Sequence, residues 1–164
     1  MRKNVKKEKE LYEPMRKWLQ EYLEDRYPDY KIITSDTSEI NLDSALTKYH
    51  VCEYFPQAVG LDIQIDVLGI MKKQNDVKLA YIEAKKTQLN THNLGQLLVY
   101  CRLVCPAEAF LLSSVGMGSL SKMLVNLKRT DILQYGDSNA RMIHVAPWNV
   151  NENHPDMNQI VPSI

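Results

Sequence analysis

A single α/β domain, with a mixed sheet flanked by helices, is the architecture this sequence predicts, and three observations predict it. Two neighbouring segments, LDIQIDVLGIM (61–71) and VKLAYIEAKK (77–86), alternate apolar and polar residues at the two-residue period of strands. Turn residues lie between them, so they form a hairpin. Helical periodicity flanks that hairpin on both sides. At 164 residues the chain has the length of one domain with one sizeable core. That core is expected over about residues 8–147, with residues 148–164 as an irregular C-terminal tail.

Residues 8–25 read as the first helix, because Leu11, Met15, Trp18, Leu19 and Tyr22 recur at helical spacing with charges between them. Pro14 must lie in its first turn or kink it. RYPDY ends the helix and YKIITS forms a short strand. From 36 to 60 the pattern fades, and only a short helix over Leu42 to Lys48 is legible. After the hairpin, THNLGQLLVYCRLV is apolar on nearly every side, with Gly95 and Arg102 on its one open face. It predicts a largely buried helix, stopped by Pro106. AEAFLLSS is a buried strand, VGMGS a turn, LSKMLVNLKR an amphipathic helix and RMIHVAPW a last strand. No repeat or low-complexity linker interrupts this order, which is that of helices covering one sheet.

Composition narrows the functional classes. Acidic and basic residues balance to a formal net charge of zero, which argues against coating nucleic acid by bulk charge but leaves room for a local basic patch. Residues 2–9 hold five basic side chains and one acid, and Lys72-Lys73, Lys85-Lys86 and Lys128-Arg129 form further pairs. Such runs are ordinarily solvated surface. Cys52, Cys101 and Cys105 show no CxxC spacing, so neither a disulfide framework nor a zinc site is expected. No apolar run approaches the ~20 residues that span a bilayer, and the basic N-terminus leads into no signal-peptide core. A cytoplasmic protein with no membrane partner is the expectation.

The hairpin register singles out a site. With the turn at about residues 73–76, facing residue numbers sum to 149. One face then carries Ile63, Ile65, Val67 and Met71 against Ala80, Ile82 and Ala84, and the other carries Leu68 and Ile70 against Leu79 and Tyr81. Further along that second face, Asp66 falls opposite Glu83 and Gln64 opposite Lys85. Facing carboxylates have β-carbons about 5 Å apart and repel. A divalent cation with oxygen ligands between them would relieve the repulsion, and Lys85, one pleat on, could act on a water or phosphate beside it. A one-residue slip would separate the two acids. Asp62 is the rival carboxylate on the same strand, but it would face Thr87, two pleats from Glu83.

IDVLGI followed by YIEAKK resembles the PD-(D/E)xK, or restriction-endonuclease-like, nuclease superfamily, in which an Asp and then Glu-x-Lys on adjacent strands bind Mg²⁺ and activate water. The Pro of the motif name is absent, Ile65 preceding Asp66. GQLLVY is similar to the QxxxY motif of the RecB-like branch, with Gln96 and Tyr100 about 40° apart on one helix face. EKEL is similar to the ExEL start of the Holliday-junction resolvase branch, which makes Glu8 the first-helix carboxylate, with Glu10 or Glu13 as alternatives. The resemblance covers roughly residues 8–114. It implies a restriction-endonuclease-like fold and Mg²⁺-dependent phosphodiester hydrolysis of DNA, with Mn²⁺ substituting. Asp66, Glu83 and the Ala84 backbone carbonyl would be metal ligands, and Lys85, Gln96, Tyr100 and Glu8 would complete the active site. Lys86, Lys72 and Lys73 would contact the DNA backbone, and nucleases of this kind often act as homodimers.

Two rivals remain at this level. A non-cleaving nucleic-acid-binding or assembly module could share the fold, although such a module has no reason to keep facing carboxylates. Alternatively, EAK is a surface ion pair in some other α/β domain. No P-loop, GxSxG or HNH-like cluster supports another enzyme, and His50, His92, His144 and His154 are scattered.

Overall fold

Apolar side chains on both faces of the hairpin require cover on both sides, and the computed structural model, which describes residues 4–164, shows both faces covered. A 3₁₀ turn, Glu8–Leu11, runs into α1 (Tyr12–Arg26), followed by β1 (Lys31–Asp36) and α2 (Leu42–Lys48). The hairpin is β2 (Val67–Lys73) and β3 (Asp76–Lys85), and then come α3 (Thr91–Leu103) and β4 (Glu108–Ser113). β5 (Gln134–Tyr135) and β6 (Arg141–Met142) make a separate two-stranded ribbon. β7 (His144–Asn149) and β8 (His154–Pro155) complete the main sheet, whose order is β1-β2-β3-β4-β7-β8. β1, β2 and β3 pair antiparallel, β3, β4 and β7 parallel, and β8 antiparallel to β7. The architecture is therefore mixed α/β.

On one face Leu11, Met15, Leu19 and Leu23 pack against Val67, Met71, Ala80, Ile82, Phe110 and Leu112. Gly69 permits the closest approach, since a β-carbon there would lie 2.7 Å from the Leu23 side chain and 3.3 Å from that of Leu19. On the other face α2 and α3 cover Leu68, Ile70, Leu79, Tyr81, Ala109 and Leu111. Every residue of central β4 is buried, as expected for a strand covered on both sides.

The hairpin register is the one the alternation predicts, from Val67 opposite Ile82 to Lys73 opposite Asp76. Pro14 sits in the first turn of α1, where its missing N–H costs no helical hydrogen bond. Four expectations change. The first hairpin strand begins at Val67 and not at Leu61, because Thr37 takes the preceding backbone away: its N–H donates to Asp66 O and its hydroxyl to Ile65 O, at 3.1 and 2.5 Å. Ile63 and Ile65 therefore pack with α2 on the opposite face from Val67. Gln64 is exposed outside the ladder, so it does not face Lys85. Second, α3 is buried along one stripe only, with Val99 53% and Leu103 47% exposed. Third, LSKMLVNLKR makes only a short, widened helical turn, closed by Leu127 N–H donating to Lys122 O, and Val125 and Leu127 face solvent. Fourth, RMIHVAPW divides at Ile143 between β6 and β7, because Ile143 N–H donates to Leu133 O. The tail is irregular in its bonding but packed: Ile160 is buried, and Val161 bridges Val145. Among the described residues no helix is long and apolar enough to cross a membrane.

Candidate active site

The carboxyl ends of the parallel strands β3 and β4 lie together at Lys85 and Ser113, at the end of the sheet where β2 starts. Open α/β sheets commonly bind ligands at that end. Glu83 and Lys85 project there from β3, and Lys85 Nζ lies 3.4 Å from Glu83 Oε1. Asp66 immediately precedes β2. Its Oδ2 accepts the Ala84 N–H at 2.9 Å, so a side chain replaces the next backbone rung of the ladder. The Asp66 charge in turn acts on Glu83.

Both carboxyls are buried, and burial is the first reason that both titrate above their ordinary values. Glu83 is pushed up to about 8, by desolvation and then by the Asp66 charge, against the opposing pull of Lys85. For Asp66 the Ala84 amide, and after it Glu83 and Lys85, counter the desolvation. Burial and the Asp66 charge on Glu83 therefore disfavour ionising both carboxyls together.

The segment before α1 reaches the same place. Glu8 raises the Asp66 carboxyl electrostatically, and the Tyr12 hydroxyl donates to Glu8 Oε1 at 3.4 Å. Tyr12 is itself held neutral, first by burial and then by the Asp66 charge. The alternatives to Glu8 point elsewhere. Glu10 accepts the amides of Lys6 and Lys7, both at 2.8 Å, and Glu13 is paired with Arg16 at 2.8 Å. Among the three, Glu8 joins the cluster.

The remaining expected residues stand in three places. Gln96 Nε2 donates to Tyr100 OH at 3.2 Å, so these two do form one unit on α3. That unit lines an open concavity of about 580 Å³ with Thr91, His92, Gly95 and Val99. Among the described residues no hydrogen bond or ion pair joins it to Asp66, Glu83 or Lys85. Lys72 and Lys73 sit at the turn end of the hairpin, opposite Val77 and Asp76, and so about 20 and 23 Å along β3 from Glu83 at strand rise. Each lies over an aromatic ring, Tyr54 and Tyr30 respectively. Lys86, by contrast, is next to the cluster, and its Nζ donates to Lys6 O at 2.9 Å.

Among the described residues no group of three or more His, Cys, Asp and Glu side chains is arranged as a ready-made metal site. The donor set nevertheless fits a hard divalent cation: two buried neighbouring carboxyls whose mutual repulsion a cation would relieve, with a third carboxylate one tyrosine away. Ala84 touches the cluster through its amide N–H, beside the carbonyl expected to bind metal. Sequence reasoning missed Tyr12 and Thr37. Neither belongs to a motif, and only their proximity to residues 65–66 gives them a role.

Comparisons of the chain with protein-family models, with curated proteins and with solved structures found no match. Fold and site together therefore define a class by chemistry alone: a mixed α/β domain with a buried carboxyl pair and a lysine at the carboxyl end of its parallel strands.

Proposed function

We propose that this chain hydrolyses the phosphodiester bonds of DNA with Mg²⁺, as a nuclease of the PD-(D/E)xK, restriction-endonuclease-like type. One observation carries the reading: Asp66 and Glu83 are both buried, Asp66 Oδ2 accepts the Ala84 N–H, next to Glu83, at 2.9 Å, and Lys85 Nζ lies 3.4 Å from Glu83. A surface ion pair would leave neither carboxyl buried nor facing a second acid.

Asp66 and Glu83 would hold the cation, with Ala84 supplying its carbonyl and Glu8 standing next to Asp66. A bound Mg²⁺, or Mn²⁺ in its place, supplies Lewis acidity toward phosphate and lowers the pKa of water. Lys85 donates toward the phosphate oxygens, where negative charge grows as the water attacks. Tyr12 steadies Glu8 through its hydroxyl and lies within the field of Asp66. Gln96 and Tyr100, already bonded to each other, offer a donor pair to a neighbouring phosphate along the strand.

The test is incubation of the protein with supercoiled, linear and single-stranded DNA in Mg²⁺, Mn²⁺ or EDTA. Cleavage is expected with either metal, and its loss in EDTA and in the Glu83→Ala and Lys85→Ala variants. Cleavage that survives both EDTA and Glu83→Ala would sink the reading. A second reading, a non-cleaving nucleic-acid-binding or assembly module of this fold, is favoured by one feature: burial raises both carboxyls, so a neutral acid can stand beside its neighbour without a cation. It predicts no cleavage of any substrate and no calorimetric heat with Mg²⁺ or Mn²⁺.

A further inference from the structure

The N-terminal basic run is docked against the sheet end that carries the carboxyl pair. Three contacts hold it there. Val5 packs on the α1-side core, Glu10 accepts the amides of Lys6 and Lys7, and Lys86 Nζ, at the end of β3, donates to Lys6 O. Glu8 turns inward to Tyr12 and Asp66, while Lys6, Lys7 and Lys9 on either side of it are exposed. Arg2 and Lys3 lie outside the described residues.

Arg16, Arg26, Lys78 and Arg129 are paired with Glu13, Glu108, Asp76 and Asp131, while Lys17, Lys31, Lys48 and Lys122 are in no ion pair among the described residues. What sets the N-terminal lysines apart is their place beside the carboxyl pair. Among the described residues, no ion pair engages Lys6, Lys7, Lys9 or Lys86. Lys6 and Lys7 act electrostatically on Glu10, whose carboxylate also accepts their backbone amides. A chain of zero net charge thus gathers exposed lysines at the rim of its most acidic buried site.

We infer that Lys6, Lys7, Lys9 and Lys86 form the surface on which the sugar–phosphate backbone of DNA rests as it enters the Asp66–Glu83 cluster. The inference deepens the nuclease reading and rests on it for the identity of the polyanion. It assigns backbone contact to the N-terminal segment and not to Lys72 and Lys73, which stand at the far end of the hairpin. The arrangement also couples two tasks, because the segment that grips phosphate is the one that carries Glu8. Contacts of this kind are independent of base sequence and strongly salt-dependent.

Fluorescence anisotropy of a short labelled duplex, titrated in EDTA over a range of KCl, reads the salt slope directly. The triple variant Lys6→Gln/Lys7→Gln/Lys9→Gln is expected to lower the slope by about 2–3, at ~0.9 per phosphate contact. Arginine at the same three positions should restore it, and Lys72→Gln/Lys73→Gln should leave it unchanged. A glutamine triple variant with the wild-type slope overturns the inference, as does a wild-type protein that binds no duplex at low salt. Cleavage in Mg²⁺, followed in parallel, separates this inference from the nuclease reading. Wild-type cleavage with an unaffected triple variant removes the basic surface and leaves the nuclease. Lysine-dependent binding without cleavage does the reverse.

Discussion

At Glu83 the protein keeps a proton that water would remove near the ordinary value of 4.5, because burial and the facing Asp66 hold its pKa near 8. Between those values the folded state binds more protons than the unfolded chain, so stability must fall as pH rises through that window. The contribution is fully present below the unfolded value and lost once pH passes the folded one. Metal-free protein should therefore have a lower Tm at pH 8 than at pH 5, and Glu83→Gln should raise Tm at pH 8 while changing it little at pH 4. Differential scanning fluorimetry over pH checks this, and equal Tm shifts at both pH values would refute it. Tyr12 makes the second residue-scale prediction. Removing its hydroxyl costs a hydrogen bond to a charged group, about 1.5 kcal/mol, or about tenfold in rate if it acts in the transition state. In the cleavage assay of the proposed nuclease, Tyr12→Phe should lose about tenfold in rate and require more Mn²⁺ for half-maximal rate. Asp66, Glu83 and Lys85 are legible in the sequence because strand alternation and register are local properties. Tyr12 is not legible, since an aromatic residue beside a helical apolar stripe reads as core until α1 is laid against residues 65–66.

Among the elements, β2 shows how a neighbour edits a strand. Its pattern continues back to Leu61, yet pairing stops at Val67 because Thr37 and the Asp66 side chain take over the hydrogen bonds. That early stop is what turns Asp66 out of the ladder and onto the Ala84 amide. Gly69, in the same strand, is where α1 comes closest. Gly69→Val would drive branched carbons into Leu19 and Leu23, an overpacking that typically costs about 1–3 kcal/mol. Urea denaturation should show a lower midpoint with an unchanged slope, and a variant as stable as wild type would mean that α1 can lift at no cost. α3 illustrates the opposite error. Its composition suggests burial all round, but a helix lying on one sheet face exposes its far side whatever residues occupy it, and Val99 and Leu103 are left there.

Across the whole molecule, the last stretch closes the sheet and does not trail from it. Ile160 is buried in the α1-side cluster, Val161 pairs with Val145, and His144 Nδ1 lies 2.7 Å from Pro162 O. Ile160→Ala should therefore destabilise the protein by about 2–5 kcal/mol, the usual range for truncating a buried Ile. Equilibrium unfolding measures it, and a loss below about 0.5 kcal/mol, the level of ordinary surface substitutions, would mean that the tail packs loosely. The tail was illegible because its buried residues come singly, at no fixed period, and are fastened to strands distant in sequence.

The sequence by itself determined the α/β class, the hairpin and its register, and the placing of Asp66 against Glu83 and Lys85. Each of these follows from short-range periodicity and from turn residues that act within a few positions. Only the tertiary structure decided that Glu8, and not Glu10 or Glu13, joins the carboxyl pair, because all three share one turn and differ only in what lies opposite. It also decided that Lys86 and the N-terminal lysines stand at the site while Lys72 and Lys73 stand at the hairpin's other end. Charge runs look alike along a chain. Their distance from a buried carboxyl pair exists only once the strand between them has a direction and a length.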